Sequence, residues 1–377
     1  MNNQKLNKEQ FLKAISAIES KIAFDVDFMY EVYDISFSAI CELVKNNVLA
    51  PAAFINSFNI INYIIGEYTY ALENRSKEEQ EKFLKNEKTI IMMASVVSDK
   101  YTTMDFFPSK EKGLSNKYVP PISSLDTYLN FTLNMLNRGE KNNPKNTLIN
   151  DLLHKTISIA RCVLELLVNG FETEAMALWR TLHECECILK LLSQNDENVI
   201  NAYLKHMNYT IAYRNGAGTK EETDKIFAQI KSEMATHDLK SKDIKKFIEY
   251  GWLYYTNEMK NVPTFKLNFR DGLEKLAGLD MYAKVYEQTS EIVHSTPMLI
   301  YSSRVYYYLT ALINTYESFF RIEQVFKKMF DNKANELQKT QYENMRRVYY
   351  SQLIAIHKNE TARFKQLILL NNKKDSQ

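Results

Sequence analysis

Glycine and proline are scarce in this chain: 377 residues hold 9 Gly and 7 Pro, about 4% together against roughly 12% in average usage. Tight turns, bulges and phosphate-cradling loops need those residues. Sandwiches, barrels, Rossmann sheets and Gly-rich nucleotide loops are therefore disfavoured. The expected fold class is all-α, a multi-helix bundle with an N-terminal helical extension.

Periodicity agrees. Apolar residues recur at helical spacing nearly end to end, and the pattern predicts helices near 5–20, 25–46, 51–73, 76–99, 123–137, 146–169, 171–194, 196–214, 220–235, 240–250, 267–277, 279–293, 297–330 and 335–370. Local signals support these ends. Pro51 opens a helix, Ser76 with Glu79 spells a capping box, and Gly170 after Asn169 fits a C-cap. Residues 101–122 hold Pro108, Gly113, Pro120 and Pro121 and read as a linker. The expected organisation is an N-terminal helical unit over 1–120, a linker and short helix over 121–144, a helical domain over 145–330, and a C-terminal helix and tail over 331–377. No internal repeat of solenoid length is evident.

Charge bounds the partners. Forty-eight basic residues face 46 acidic ones, for a net charge of +2. A duplex-DNA binder carries a clear basic excess, so no strong duplex-DNA signal exists, and any nucleic-acid contact is a local patch. The 24 Tyr and 20 Phe read first as helix-to-helix packing and second as stacking platforms for bases. Residues 1–10 are polar with no apolar run after them, and the most apolar stretch, 48–72, contains Asn56, Asn59, Asn62 and Glu67. No membrane partner is expected. Four cysteines in so long a chain make no disulfide framework. The expected location is the cytoplasm.

Two stretches concentrate chemistry-bearing residues. In 171–192, FETEAMALWRTLHECECILKLL, Arg180 and Glu184 lie four residues apart on one helix face. Among Leu, Met, Trp and Cys they read either as a structural brace or as a binding or catalytic pair. In 282–304, Tyr286, Ser290, Glu291, His294 and Ser295 fall within ten residues. His294 reads either as a helix-end cap or as a general base opposite Arg180 and Glu184. A serine in mid-helix usually bonds the carbonyl four back, and no nucleophile-elbow sequence is present, so serine hydrolysis is disfavoured. His183, Cys185 and Cys187 cluster but supply too few ligands for zinc; no metal and no cofactor is expected. No Walker loop or G-x-G-x-x-G occurs, and Gly216 and Gly218 read as a helix break.

The ordered set of these pieces resembles the bacterial domain of unknown function 5677 family over roughly residues 145–330. The set runs from LVNGFETEAMALWRTLHECE through Tyr203, His206 and Tyr213, then Tyr250-Gly251-Trp252, Phe269-Arg270 and Leu276-Ala277-Gly278-Leu279. It ends with Tyr286, Ser290, His294 and Ser295 in a Y-x-x-x-S-x-x-x-H-S pattern. The resemblance implies an all-helical fold, no established activity, an intracellular bacterial setting and, for some members, a link to phage defence. It also implies that Arg180, Glu184, Tyr286, Ser290 and His294 converge. Some relatives carry a Cys-rich tail that this chain lacks. The helical HEPN ribonucleases place a His four to six residues after an Arg, and no Arg here has one.

The leading expectation is a defence or toxin-like effector that binds a nucleotide or RNA, with Arg180, Glu184 and His294 as its core and Tyr286, Ser290, Ser295 and Trp252 as ligand contacts. One alternative is a metal-independent ribonuclease with His294 as base and Arg180 as phosphate clamp. The other is a non-enzymatic helical interaction module. A homodimer through the Tyr-rich run Tyr301, Tyr306, Tyr307 and Tyr308 is a further expected partner.

Overall fold

The computed structural model describes residues 5–16, 18, 23–46, 55–73, 75–103, 119–136, 144–214, 218–262, 264–293, 303–332 and 334–374. Among them every regular element is helical, and no helix is long and apolar enough to cross a membrane. The chain divides into two compact units, residues 1–113 and 114–377.

The first unit contains α1 (Lys8–Ser16), α2 (Val26–Lys45), α3 (Ser57–Leu72), α4 (Lys77–Leu84) and α5 (Glu87–Tyr101). Its core is rich in buried tyrosines whose hydroxyls all find partners. Tyr33 donates to Ser57 Oγ at 2.9 Å, Tyr68 donates to the Ala23 carbonyl at 3.0 Å, and Tyr101 accepts from the Asn56 amide at 2.7 Å. The capping box of Ser76 and Glu79 is formed. The single helix expected over 76–99 is two, because Asn86 accepts from the Lys88 amide and starts α5 afresh. Pro51 lies outside the described residues.

The second unit contains α6 (Pro120–Leu136), α7 (Pro144–Val168), α8 (Glu172–Gln194), α9 (Glu197–Tyr213), α10 (Lys220–Ala235), α11 (Ile244–Tyr250), α12 (Ala283–Val293), α13 (Arg304–Asp331) and α14 (Glu336–Lys374). Pro120 and Pro121, expected in a linker, instead open α6. The first helical turn has no need of their missing N–H groups. Between α11 and α12 the chain runs through tight 3-10 turns, Gly251–Tyr255 and Asn257–Asn261, and a wider π-helical turn, Phe269–Glu274.

Helix α8 is the axis of this unit and packs most heavily against α7 and α13. Its buried stripe is Ala175, Met176, Trp179, Leu182, His183, Glu186 and Leu189, spaced three and four apart. Two of those seven residues are ionisable, which a core tolerates only with partners. The turn into α8 is closed at Gly170, where φ is +78°. There the Phe171 amide donates to the Leu166 carbonyl and the Gly170 amide to the Leu167 carbonyl, a Schellman closure that favours glycine. Buried Glu323 ties three helices together. It accepts from Tyr128 on α6 at 3.3 Å, from Arg346 Nε on α14 at 2.8 Å, and from Tyr342 on α14.

Candidate functional site

Arg180 and Glu184 lie together on α8, with Nε 3.3 Å from Oε1. Across from them α12 presents Ser290 and Tyr286. Arg180 Nη1 donates to Ser290 Oγ at 2.9 Å, and the guanidinium sits 4.4 Å over the Tyr286 ring. The Tyr286 hydroxyl donates to Glu184 Oε1. Four residues from segments about a hundred positions apart therefore form one hydrogen-bonded cluster. Burial, then the adjacent Glu184 carboxylate, pushes the Tyr286 phenol well above its ordinary pKa. Tyr286 is a donor rather than a base at neutral pH. The Arg180 and Glu184 side chains are 30% and 39% exposed, so the pair reaches solvent and is not sealed in the core.

The expected partners His294 and Ser295 lie outside the described residues, as does Tyr301. Tyr308 is buried within its own unit, and Tyr306 packs on Phe364 of α14 with ring centres 5.5 Å apart.

Trp252, the remaining expected contact, lines a cavity of about 220 Å³ that opens beside Glu184. Tyr203, His206, Tyr250 and Phe269 share its wall. Phe269 also stacks on Tyr286, centroids 4.4 Å apart and planes 24° from parallel. Glu184 thus belongs to both the α8–α12 cluster and the cavity. Burial and the Glu184 charge push Tyr250 up to about 12, and burial with the nearby Cys185 does the same for Tyr203. Both phenols stay protonated.

His206 appeared in the sequence only as part of the family pattern. It is 2% exposed. Its Nδ1 lies 3.2 Å from the Ile248 carbonyl, a pairing that requires Nδ1 to carry the proton and leaves Nε2 with a lone pair. Nε2 is buried and has no hydrogen-bond partner. Burial lowers the His206 pKa to about 4, so the ring is neutral at pH 7. Gly251 makes room for it, since a Cβ there would stand 2.5 Å from His206 Cε1.

Behind the cluster lies a second ionisable group that spacing did not reveal as such. His183, considered above as a metal ligand, is fully buried. Its Nε2 is 2.9 Å from Glu274 Oε1, and its Nδ1 is 3.6 Å from Glu186 Oε2, an ion-pair distance rather than a hydrogen bond. Burial works against its charge, but the two carboxylates outweigh burial and raise its pKa. Glu186 is held below the usual carboxylate range: burial alone would raise it, and His183 and Arg321 reverse that. Arg321 binds Glu186 through Nε and through Nη2, the latter at 3.1 Å, and donates to the Tyr282 hydroxyl. The i to i+3 spacing of His183 and Glu186 was the available signal; Glu274 and Arg321 had none. Among the described residues no group of His, Cys, Asp and Glu is arranged to hold a metal ion.

Residues 146–305 match the model of a family of unknown function, DUF5677. The matched segment holds α8, the cavity and α12. No curated protein and no solved structure matches the chain.

Proposed function

We propose that the protein binds a planar, N–H-bearing heterocycle of the nucleobase kind in the cavity beside Glu184. The bound species is a nucleotide or an unpaired RNA base. One observation carries this reading: Glu184 closes one side of an aromatic cavity while its other side is anchored by Arg180 and Tyr286. A carboxylate fixed this way accepts N–H groups of a base edge. Trp252, Tyr203 and Phe269 supply ring surface, and base–aromatic stacking is worth about 1–3 kcal/mol per base. The neutral His206 Nε2 adds a buried acceptor. The cavity is of the size of one ring system: an engineered apolar cavity of roughly 150 Å³ holds benzene. Its charged lining is Glu184 and Glu249, with no Lys or Arg, so a phosphate belongs outside it. Arg180, partly exposed and paired with Glu184, is a cation available to meet it. Four unpaired cysteines support a reducing, cytoplasmic setting.

The test is titration of the full chain with AMP, GMP, CMP and UMP, read by tryptophan fluorescence, with Trp179→Phe isolating Trp252. At least one should quench saturably with Kd below about 1 mM. Glu184→Gln should weaken that binding about tenfold or more, in line with a lost charged hydrogen bond. Absence of saturable quenching by every nucleotide overturns the reading.

The contact of Arg180 with Ser290 also favours asking whether binding leads to cleavage, because Ser290 begins the S-x-x-x-H-S part of the family pattern. Total RNA integrity in cells expressing wild type or His294→Ala separates the two. Degradation that depends on His294 makes the protein a ribonuclease effector; intact RNA with both leaves it a binder.

A further inference from the structure

The opposite side of α8 carries a second cavity, of about 330 Å³, with the reverse electrostatics. Lys190, Arg321 and Lys328 line it, and its one carboxylate is Glu186. Three cations against one anion leave a local charge of +2. Glu186 is already neutralised by Arg321 and faced by His183. Arg321 is largely committed to Glu186, Tyr282 and Ser318. Lys190 and Lys328 have no ion pair among the described residues, although acidic partners are plentiful elsewhere on these helices. The remaining wall includes aliphatic Leu189 and Val325, with no aromatic ring to stack a base.

We propose that this cavity is a binding site for a small phosphomonoester with an aliphatic or otherwise non-aromatic body, its dianionic head held between Lys190 and Lys328. Charge and shape select this class. A phosphomonoester carries close to two negative charges at neutral pH, which matches the unbalanced charge. Lysine ammonium groups bind phosphate as point charges without demanding a bidentate geometry. The volume lies in the range of small-ligand sites, and the aliphatic wall gains from burying methylene groups. The base cavity and this one both adjoin α8 but share no lining residue, so the second site stands whether or not the first is confirmed.

The experiment is calorimetric titration of the full chain with inorganic phosphate and with butyl phosphate at constant ionic strength set by chloride. Saturable heats are expected from both, with butyl phosphate about tenfold tighter. Lys190→Gln with Lys328→Gln should weaken both at least tenfold. Circular dichroism checks that this double variant keeps its helices; Lys328 is exposed and Lys190 half-buried, and neither has an ion pair to lose among the described residues, so it should. Glu184→Gln should leave phosphate binding unchanged, which separates this site from the base cavity. If neither phosphate gives saturable heats, or the double variant binds as wild type does, the assignment is wrong. Inorganic phosphate binding more tightly than butyl phosphate would overturn the non-aromatic organic body.

Discussion

At the residue scale, the second unit places ionisable groups where periodicity predicts apolar ones, and each is tolerated for a different reason. His206 is tolerated by staying neutral. Its pKa falls to about 4 from an ordinary 6.5, so between those values the unfolded chain binds a proton that the folded chain refuses. Stability therefore rises with pH across that window and is lost as pH falls through it. At about 1.4 kcal/mol per unit, the loss by pH 4 is about 3 kcal/mol. Denaturant melts from pH 4 to 7 on wild type and His206→Asn check this: the variant should show a flatter slope in that window. An equal slope means the proton goes elsewhere. Glu186 is tolerated in the opposite way, by keeping its charge and its partners. Arg321→Met should cost about 3 kcal/mol, because it strands a buried carboxylate. Glu186→Gln on that background should recover most of the loss. A double variant no better than the single would show that Arg321 acts by packing alone.

At the element scale, what was legible follows from which signals are local. Helices such as α2, α7, α8 and α13 repeat an apolar stripe every three to four residues, and the capping box of α4 and the glycine closure before α8 need only neighbours in sequence. Arg180 with Glu184 was visible on one helix face. Tyr286 and Ser290, about a hundred residues away, stood out as part of a local cluster, but their convergence with Arg180 and Glu184 was implied only by the family pattern, since no local rule pairs distant helices. The cavity was the least legible part. Its walls depend on the 3-10 and π-helical turns between α11 and α12, which have no steady period to read. Asn86 was missed as a break because one asparagine on a helical pattern is a weak signal. Gly251 shows how such an irregular segment serves the site. Its φ of −63° suits any residue, so glycine is there for space: an added Cβ would stand 2.5 Å from His206 Cε1 and 2.7 Å from Phe247 ring atoms. Gly251→Ala should destabilise by about 2 kcal/mol through overpacking and weaken nucleotide binding as His206 is displaced. Calorimetric melting and the fluorescence titration measure the two effects. A stable variant with unaltered binding would mean the wall yields without consequence for the cavity.

At the scale of the whole molecule, the division into residues 1–113 and 114–377 bears on how stability can be measured at all. Each unit has its own set of buried side chains, the first around Tyr33, Tyr68 and Tyr101 and the second around Trp179, Trp252 and Tyr316. Both tryptophans of the chain lie in the second unit. Helices fill both. Tryptophan fluorescence thus reports the second unit, while far-ultraviolet circular dichroism reports the sum. If the units unfold independently, the two probes should give non-coincident urea curves, a signature that excludes a single two-state transition. Because the denaturant slope scales with the surface exposed, the fluorescence transition should be roughly twice as steep as the additional one seen by circular dichroism, the second unit being more than twice the length of the first. Nucleotide or phosphate bound in the second unit should then move the fluorescence midpoint and leave the other in place, since a ligand stabilises only the fold that binds it. Coincident curves that shift together with ligand would instead make the chain one cooperative unit and extend the influence of both cavities to its N-terminal helices.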